Sequence, residues 1–330
     1  MSRPTDYISA AELAELRTRS NWRGLASVAW TWGWIVGCMA LYVAWPGVVT
    51  FLIGLIIISG RHLALAILMH EGAHRLLLTD PKWNDRLTQW LTAYPIMVNM
   101  KPYREEHLRH HKNTWTQDDP DLGLANALPV SRRSFMRKML RDIGGITGLA
   151  RYRFIARVSA GLSAHKNGLE GKSWRAVVST FCRNQHGFLI TNGVLFAGLA
   201  MAGRPEAFLL LWWLPALTGY SVVVRLRNIA EHAVVPDTRD ELRHTRTTLA
   251  AWWVRFLMAP HHVNYHLEHH LFMSVPQYNL PRAHALLRRN GFVERAEVVR
   301  GYWPTIRKAM SLDADGGDGM RRRNAPGTYA

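Results

Sequence analysis

The chain has 330 residues, with 41 Lys and Arg against 24 Asp and Glu and a formal charge of +17. Such an excess of base suits nucleic acid, an anionic membrane face or an acidic protein partner, but the apolar residues collect in long runs with the basic residues between them, which favours the membrane and argues against nucleic acid. With Cys38 and Cys182 as the only cysteines, a disulfide framework and a cysteine-ligated zinc or iron–sulfur site are excluded.

Residues 1–24 are polar and lack a basic segment followed by an apolar one, so no cleaved signal peptide is expected. Ala10 to Arg19 alternates charged and apolar residues at helical spacing and reads as an amphipathic helix on the membrane or on the protein surface. Leu25 to Trp45 is uncharged and long enough to cross a hydrocarbon layer of ~30 Å at ~1.5 Å per residue. Pro46-Gly47 is a turn signal, and Val48 to Met69 is a second span, interrupted only by Arg61 and His62. Leu87 to Met100 is apolar but short and contains Pro95, as an interfacial or re-entrant helix would. Lys101 to Arg183 reads as a polar domain beside the membrane. Phe188 to Gly203 and Ala207 to Val224 form a second hairpin, the first of its runs being short and open to extension upstream. The two hairpin tips carry only Arg204, so both termini and the histidine-rich segments are expected on the cytoplasmic side. The tail from Asp313 has a disorder-like composition. The expected fold is an all-α membrane protein: two transmembrane helical hairpins, with four spans at about 25–45, 48–69, 188–203 and 207–224, under a cytosolic helical cap.

Histidine carries the chemistry. In "HHVNYHLEHHL", His266, His269 and His270 stand at i, i+3 and i+4, which places them on one face of a helix. His107, His110 and His111 of "HLRHH" repeat that spacing, His70 and His74 of "HEGAH" are an i, i+4 pair, and so are Asn228 and His232 of "RNIAEH". Three imidazoles on one turn make a poor apolar stripe and a good set of transition-metal ligands. Nine histidines exceed the roughly six positions of one first-row ion, so two ions are the economical reading, with iron, copper, zinc and nickel all open. Glu71, Glu105, Glu106, Asp118, Asp119, Asp121, Glu231 and Glu268 lie beside these groups as candidates to accept ligand N–H groups and offset metal charge, and the sequence does not sort them. His62, His165, His186, His244, His261, His262 and His284 lack the spacing and read as surface or supporting residues. "HEGAH" also fits the H-E-x-x-H zinc protease pattern with Glu71 as general base. That reading uses one further ligand and leaves three histidine groups unexplained.

The order of "HEGAH", "HLRHH" and "HLEHH" around two apolar hairpins resembles the membrane fatty acid desaturase family, and "HHVNYHLEHHLFMSVPQYNLPRAH" is similar to its bacterial acyl-lipid members. Asn228 and His232 resemble the N-x-x-x-H element of the acyl-CoA desaturases. The resemblance covers Leu25 to Arg289, within a membrane domain of residues 25–312. It implies a di-iron centre that uses O2 and two external electrons to remove hydrogen from a lipid acyl chain. It further implies His70, His74, His107, His110, His111, His232, His266, His269 and His270 as direct ligands and Asn228 as a ligand through water. Which iron each would bind stays open. A bacterial inner-membrane location and a separate ferredoxin or cytochrome b5-like donor are expected, because no haem signature or cysteine cluster is present. A hydroxylase or ketolase acting on a lipid or carotenoid would share the motifs, and a non-turnover metal receptor is the distant alternative. Trp30, Trp34, Trp212 and Trp213 are candidates either to line a substrate channel or to anchor the protein at the interface.

Overall fold

The computed structural model describes residues 3–125, 127–164 and 166–311, so His165 and the tail from Asp313 lie outside it. The first long helices follow from the pattern of small and apolar residues. Helix α1 (Ala10–Leu16) starts at a capping box, in which the Ser9 hydroxyl accepts the Glu12 N–H and the Glu12 carboxylate accepts the Ser9 N–H. It buries Leu13 and Leu16 in a cluster with Leu267, Phe272 and Leu287. Of the two surfaces expected for this helix, it covers the protein. Helix α2 (Asn21–Ala44) buries Val28, Thr31, Ile35, Cys38, Met39 and Tyr42 at spacings of three and four, while Trp30 and Val36 stay exposed on the other face. After the Pro46-Gly47 turn, helix α3 (Val48–Ala73) changes character along its length. Val48, Val49, Leu52 and Ile56 are exposed, whereas residues 58–73 are almost wholly enclosed by other helices.

That enclosure explains how Arg61 and His62 sit in an apolar helix. Arg61 donates to the Phe256 carbonyl and lies 4.2 Å from the centre of its ring, and His62 packs 4.4 Å from Trp212. Helix α3 also runs past its expected end at Met69, carrying His70 on its last turn, with His74 as its C-cap. Arg75, at φ 58°, then turns the chain away. Helix α4 (Pro81–Thr88), capped by Asp80, continues through a π turn at Gln89–Ala93 and a tight turn at Tyr94–Ile96. The run expected at Leu87 to Met100 begins inside this helix and takes in both turns. Its end is held in the protein, since Asn192 donates to the Pro95 carbonyl at 3.1 Å.

The polar domain contributes α5 (Met100–Asn113), α6 (Arg132–Ile143), α7 (Ile146–Ser159) and α8 (Trp174–Asn184). Then come the apolar α9 (His186–Met201) and α10 (Glu206–His232). Among the described residues, α2, α3 and α10 are long and apolar enough to cross a membrane. The third expected span is shorter than required: α9 has 16 residues, or ~24 Å at ~1.5 Å per residue, against ~30 Å of hydrocarbon. Helix α10 is longer than the 207–224 expected, with a π turn at Leu209–Trp213 and non-helical backbone at Thr218 just beyond Pro215. Short helices α11 (Trp252–Met258), α12 (His266–Leu271), α13 (Leu280–Arg289) and α14 (Trp303–Ala309) complete the chain. The fold is not purely helical. Strands β1 (Thr247–Leu249) and β2 (Val298–Arg300) pair in parallel with Thr247 opposite Val298, too short to show in a periodicity reading.

Candidate metal centre

Four elements deliver the histidines. The end of α3 supplies His70 and His74, α5 supplies His107, His110 and His111, the end of α10 supplies His232, and α12 supplies His266, His269 and His270. The expected helical spacing holds, but each three-histidine turn serves two groups. At ~100° per residue, i and i+4 project ~40° apart while i+3 lies on the other flank. Accordingly His107 and His111 converge with His70, His74 and His269, whereas His110 joins His232 and His270. On α12, His266 and His270 face one group and His269 the other: the His266 Nε2 lies 2.7 Å from that of His232 and 3.1 Å from that of His270.

The first group is a set of ring nitrogens aimed at one another. Nε2 to Nε2 distances are 2.8 Å for His74 and His107, 3.0 Å for His107 and His111, and 2.9 Å for His111 and His269. Hydrogen bonding alone does not satisfy this arrangement. A ring nitrogen offers either one N–H or one in-plane lone pair, yet the Nε2 atoms of His107 and His111 each meet two partners. Both ring nitrogens of His70 are buried without a hydrogen-bond partner as well. A cation at the point of convergence would use all five lone pairs, so the donor set fits a metal ion by its chemistry. Burial holds the pKa values of His107, His111, His266, His269 and His270 well below the ordinary histidine range, and neighbouring imidazoles push the same way. Burial takes His74 down to about 4. These rings are neutral at neutral pH, the form in which an imidazole can bind a metal ion.

The structure sorts the carboxylates that the sequence left together. The His110 Nδ1–H donates to Asp119 at 2.7 Å, with Asp121 at 3.8 Å, so its Nε2 is directed to the second group. Burial opposes ionisation of Asp119, but hydrogen bonds from His110 and from the Trp115 and Asp121 amides hold its carboxyl below the ordinary value. Glu231 lies 3.6 Å from the His266 Nδ1 and accepts from Arg227 at 2.6 Å. Glu105, Glu106 and Asp118 are exposed. Glu71 is buried and accepts the Gln277 backbone N–H at 3.0 Å. Asn228 sits one turn before His232 on α10, half-buried, beside Arg227.

Further contacts hold these elements together. Glu268, between two of the histidines of α12, accepts from the His284 ring at 2.6 Å and from the Thr247 hydroxyl, which ties α12 to α13 and β1. Arg104 donates to the Gly72 and Ala73 carbonyls at the end of α3 and pairs with Asp85. Gly72 is required there because a Cβ would overlap the side chain of the buried Thr88. His261 meets the Thr31 hydroxyl at 2.8 Å. Trp212 is buried with its N–H on Asn192, and Trp30 and Trp34 line an apolar groove of about 720 Å³ along α2.

Family comparison agrees with this geometry. A family model described as fatty acid desaturase matches residues 43–303. The chain belongs to the fatty acid desaturase family. Its relatives include the dihydrorhizobitoxine desaturase of Bradyrhizobium elkanii, 26% identical over 82% of this chain and 77% of the relative. The sn-1 oleoyl-lipid 12-desaturase of a Picosynechococcus strain is 25% identical over 78% of this chain and 74% of its own. The sn-1 acyl-lipid omega-3 desaturase (ferredoxin) of Nostoc sp. is 25% identical over 67% of this chain and 62% of its own. This desaturase is therefore an oxidoreductase, and its buried histidine groups could hold metal ions.

Proposed function

We propose that this desaturase inserts a double bond into a lipid acyl chain at two iron ions, with O2 as co-substrate and electrons from a separate donor. His70, His74, His107, His111 and His269 would hold one ion. His110, His232, His266 and His270 would hold the other, with Asn228 contributing through a water. The observation that supports this reading is the division of α5 and α12 between two convergent histidine groups, an arrangement suited to two neighbouring ions. Bound there, iron supplies the O2-dependent removal of hydrogen from an unactivated C–H bond.

The protein's own residues do the rest. Asp119, beside the His110 Nδ1–H, fixes the tautomer and aims Nε2, and Glu231 sets negative charge beside His266. The surrounding burial keeps water from the reacting atoms. The groove along α2 offers an apolar surface within a candidate span for an acyl chain. We place the protein in a bacterial inner membrane with its histidines and termini cytoplasmic, because Arg204 is the one Lys or Arg that the sequence carries at the two hairpin tips. The test is expression in a host that lacks the activity, followed by lipid mass spectrometry. A new double bond in an acyl chain is expected. Acyl chains or carotenoids that gain oxygen would replace this reading by hydroxylation or ketolation on the same scaffold.

A further inference from the structure

Beside the first histidine group is a cavity of about 380 Å³ that the proposed chemistry does not use. Arg17, Arg19 and Arg75 line it together with Leu108 and Met273, and His74 is part of its wall. Of the five histidines in that group, His74 alone is not buried. The three arginines are exposed, and each is held in place: Arg17 donates to Ser274 at 2.7 Å, Arg19 to the Arg75 carbonyl at 3.1 Å, and Arg75 to Asp85 at 3.4 Å. Leu108 and Met273, which line the same cavity, are 43% and 39% exposed. The cavity therefore combines fixed positive charge, exposed apolar side chains and the one histidine of the first group that is not buried.

We propose that this surface docks the acidic electron-donor protein of the ferredoxin class and that His74 is the point of closest approach. The inference rests on the metal-centre reading above. A lipid headgroup fits the position less well. A chain whose middle carbons react at the metal centre carries its headgroup many bonds away, whereas this cavity touches a histidine of the centre itself. A donor protein has the opposite requirement, since electron transfer needs its cofactor brought as near as the surface permits. Charge complementarity with a small apolar contact is what a transient, fast-exchanging complex uses. The balance closes with one-electron donors. For each double bond, two reduced donors are each oxidised by one electron, the acyl chain loses two electrons and two protons as its two C–H bonds break, and O2 takes four electrons and four protons, two of them from solvent, to give two waters.

The experiment uses the full chain in nanodiscs, metal-free and iron-loaded, with a [2Fe–2S] ferredoxin as probe. Binding is measured by light scattering or thermophoresis, and oxidation of the reduced probe by stopped flow. Arg17→Glu with Arg19→Glu should weaken ferredoxin binding by about tenfold or more in both metal states and remove most of its salt dependence. Arg239→Glu with Arg243→Glu, exposed residues elsewhere on the polar side, should change it little. If the reversed pair is poorly folded, Arg17→Gln with Arg19→Gln retains the polar contacts and should show a smaller loss of the same sign. Equal losses from the two reversed pairs, or no loss from the first, would overturn the proposal. So would a loss of affinity for anionic lipid with ferredoxin binding intact. Bleaching of the iron-loaded protein by dithionite separates the two readings: a protein that dithionite reduces but ferredoxin does not bind refutes the docking site alone, and one that takes up no iron refutes the metal-centre reading.

Discussion

Replacing Asp119 by Asn tests whether the carboxylate beside His110 shapes the second histidine group. One oxygen of Asp119 accepts from His110 at 2.7 Å and from the Asp121 amide at 2.8 Å, and the other accepts from the Trp115 amide at 2.9 Å. All three partners are donors. A side-chain amide offers one oxygen, so whichever way the substituted group turns, its NH2 faces at least one of those N–H groups. The smallest loss is then one charge-assisted hydrogen bond in a buried setting, about 1.5–3 kcal/mol. Outer carboxylates of this kind typically carry about 10–100-fold in metal affinity, or about 1.4–2.8 kcal/mol, so the two routes agree. Iron affinity is measured by competition with a coloured Fe(II) chelator, and stability by thermal unfolding of the metal-free protein. The expected outcome is a drop of that size in one of two binding steps, with the exposed Asp118→Asn unchanged. Equal behaviour of the two variants, or normal binding by Asp119→Asn, would refute the reasoning.

Further outcomes follow from the same geometry. His269→Ala removes one of five convergent nitrogens and should abolish turnover while membrane insertion, followed by fractionation, is retained. Gly72→Ala drives a Cβ into Thr88 and should cost about 1–3 kcal/mol by overpacking, read as a lowered midpoint of unfolding with loss of bound iron. Glu268→Ala leaves His284 and Thr247 without their acceptor and should cost about 1–3 kcal/mol, again read by thermal unfolding. In the metal-free protein, the cluster histidines have folded pKa values below the ordinary 6.5, so the unfolded chain binds more protons below that pH. Stability should therefore be full above pH 6.5 and fall progressively as the medium is made more acid. Unfolding midpoints independent of pH between 8 and 5 would contradict this.

Much of the site was legible in the sequence because helical spacing is a strong constraint: a histidine at i+4 shares a face with its partner, and four such groups beside apolar runs point to one centre. The split of "HLRHH" and "HLEHH" between two groups was not legible, since it depends on how α5 and α12 are rotated against α3. The apolar runs located α2 and α3 closely, but their ends followed local features such as the Arg75 turn. The short run at 188–203 forms a helix of the same length shifted two residues upstream, and its extension further upstream stops at Gln185, where the preceding helix ends. Arg104 and Asp85 escaped notice for a different reason. Their partners are distant in sequence, and a lone carboxylate or arginine carries no periodicity.

The central claim is that two histidine groups hold two irons in one chain. Metal analysis of protein purified from iron-replete cells tests it most directly. Two irons per chain are expected, with His269→Ala and His110→Ala each lowering the count. A single zinc per chain, undisturbed by substitution of His110, would contradict the account.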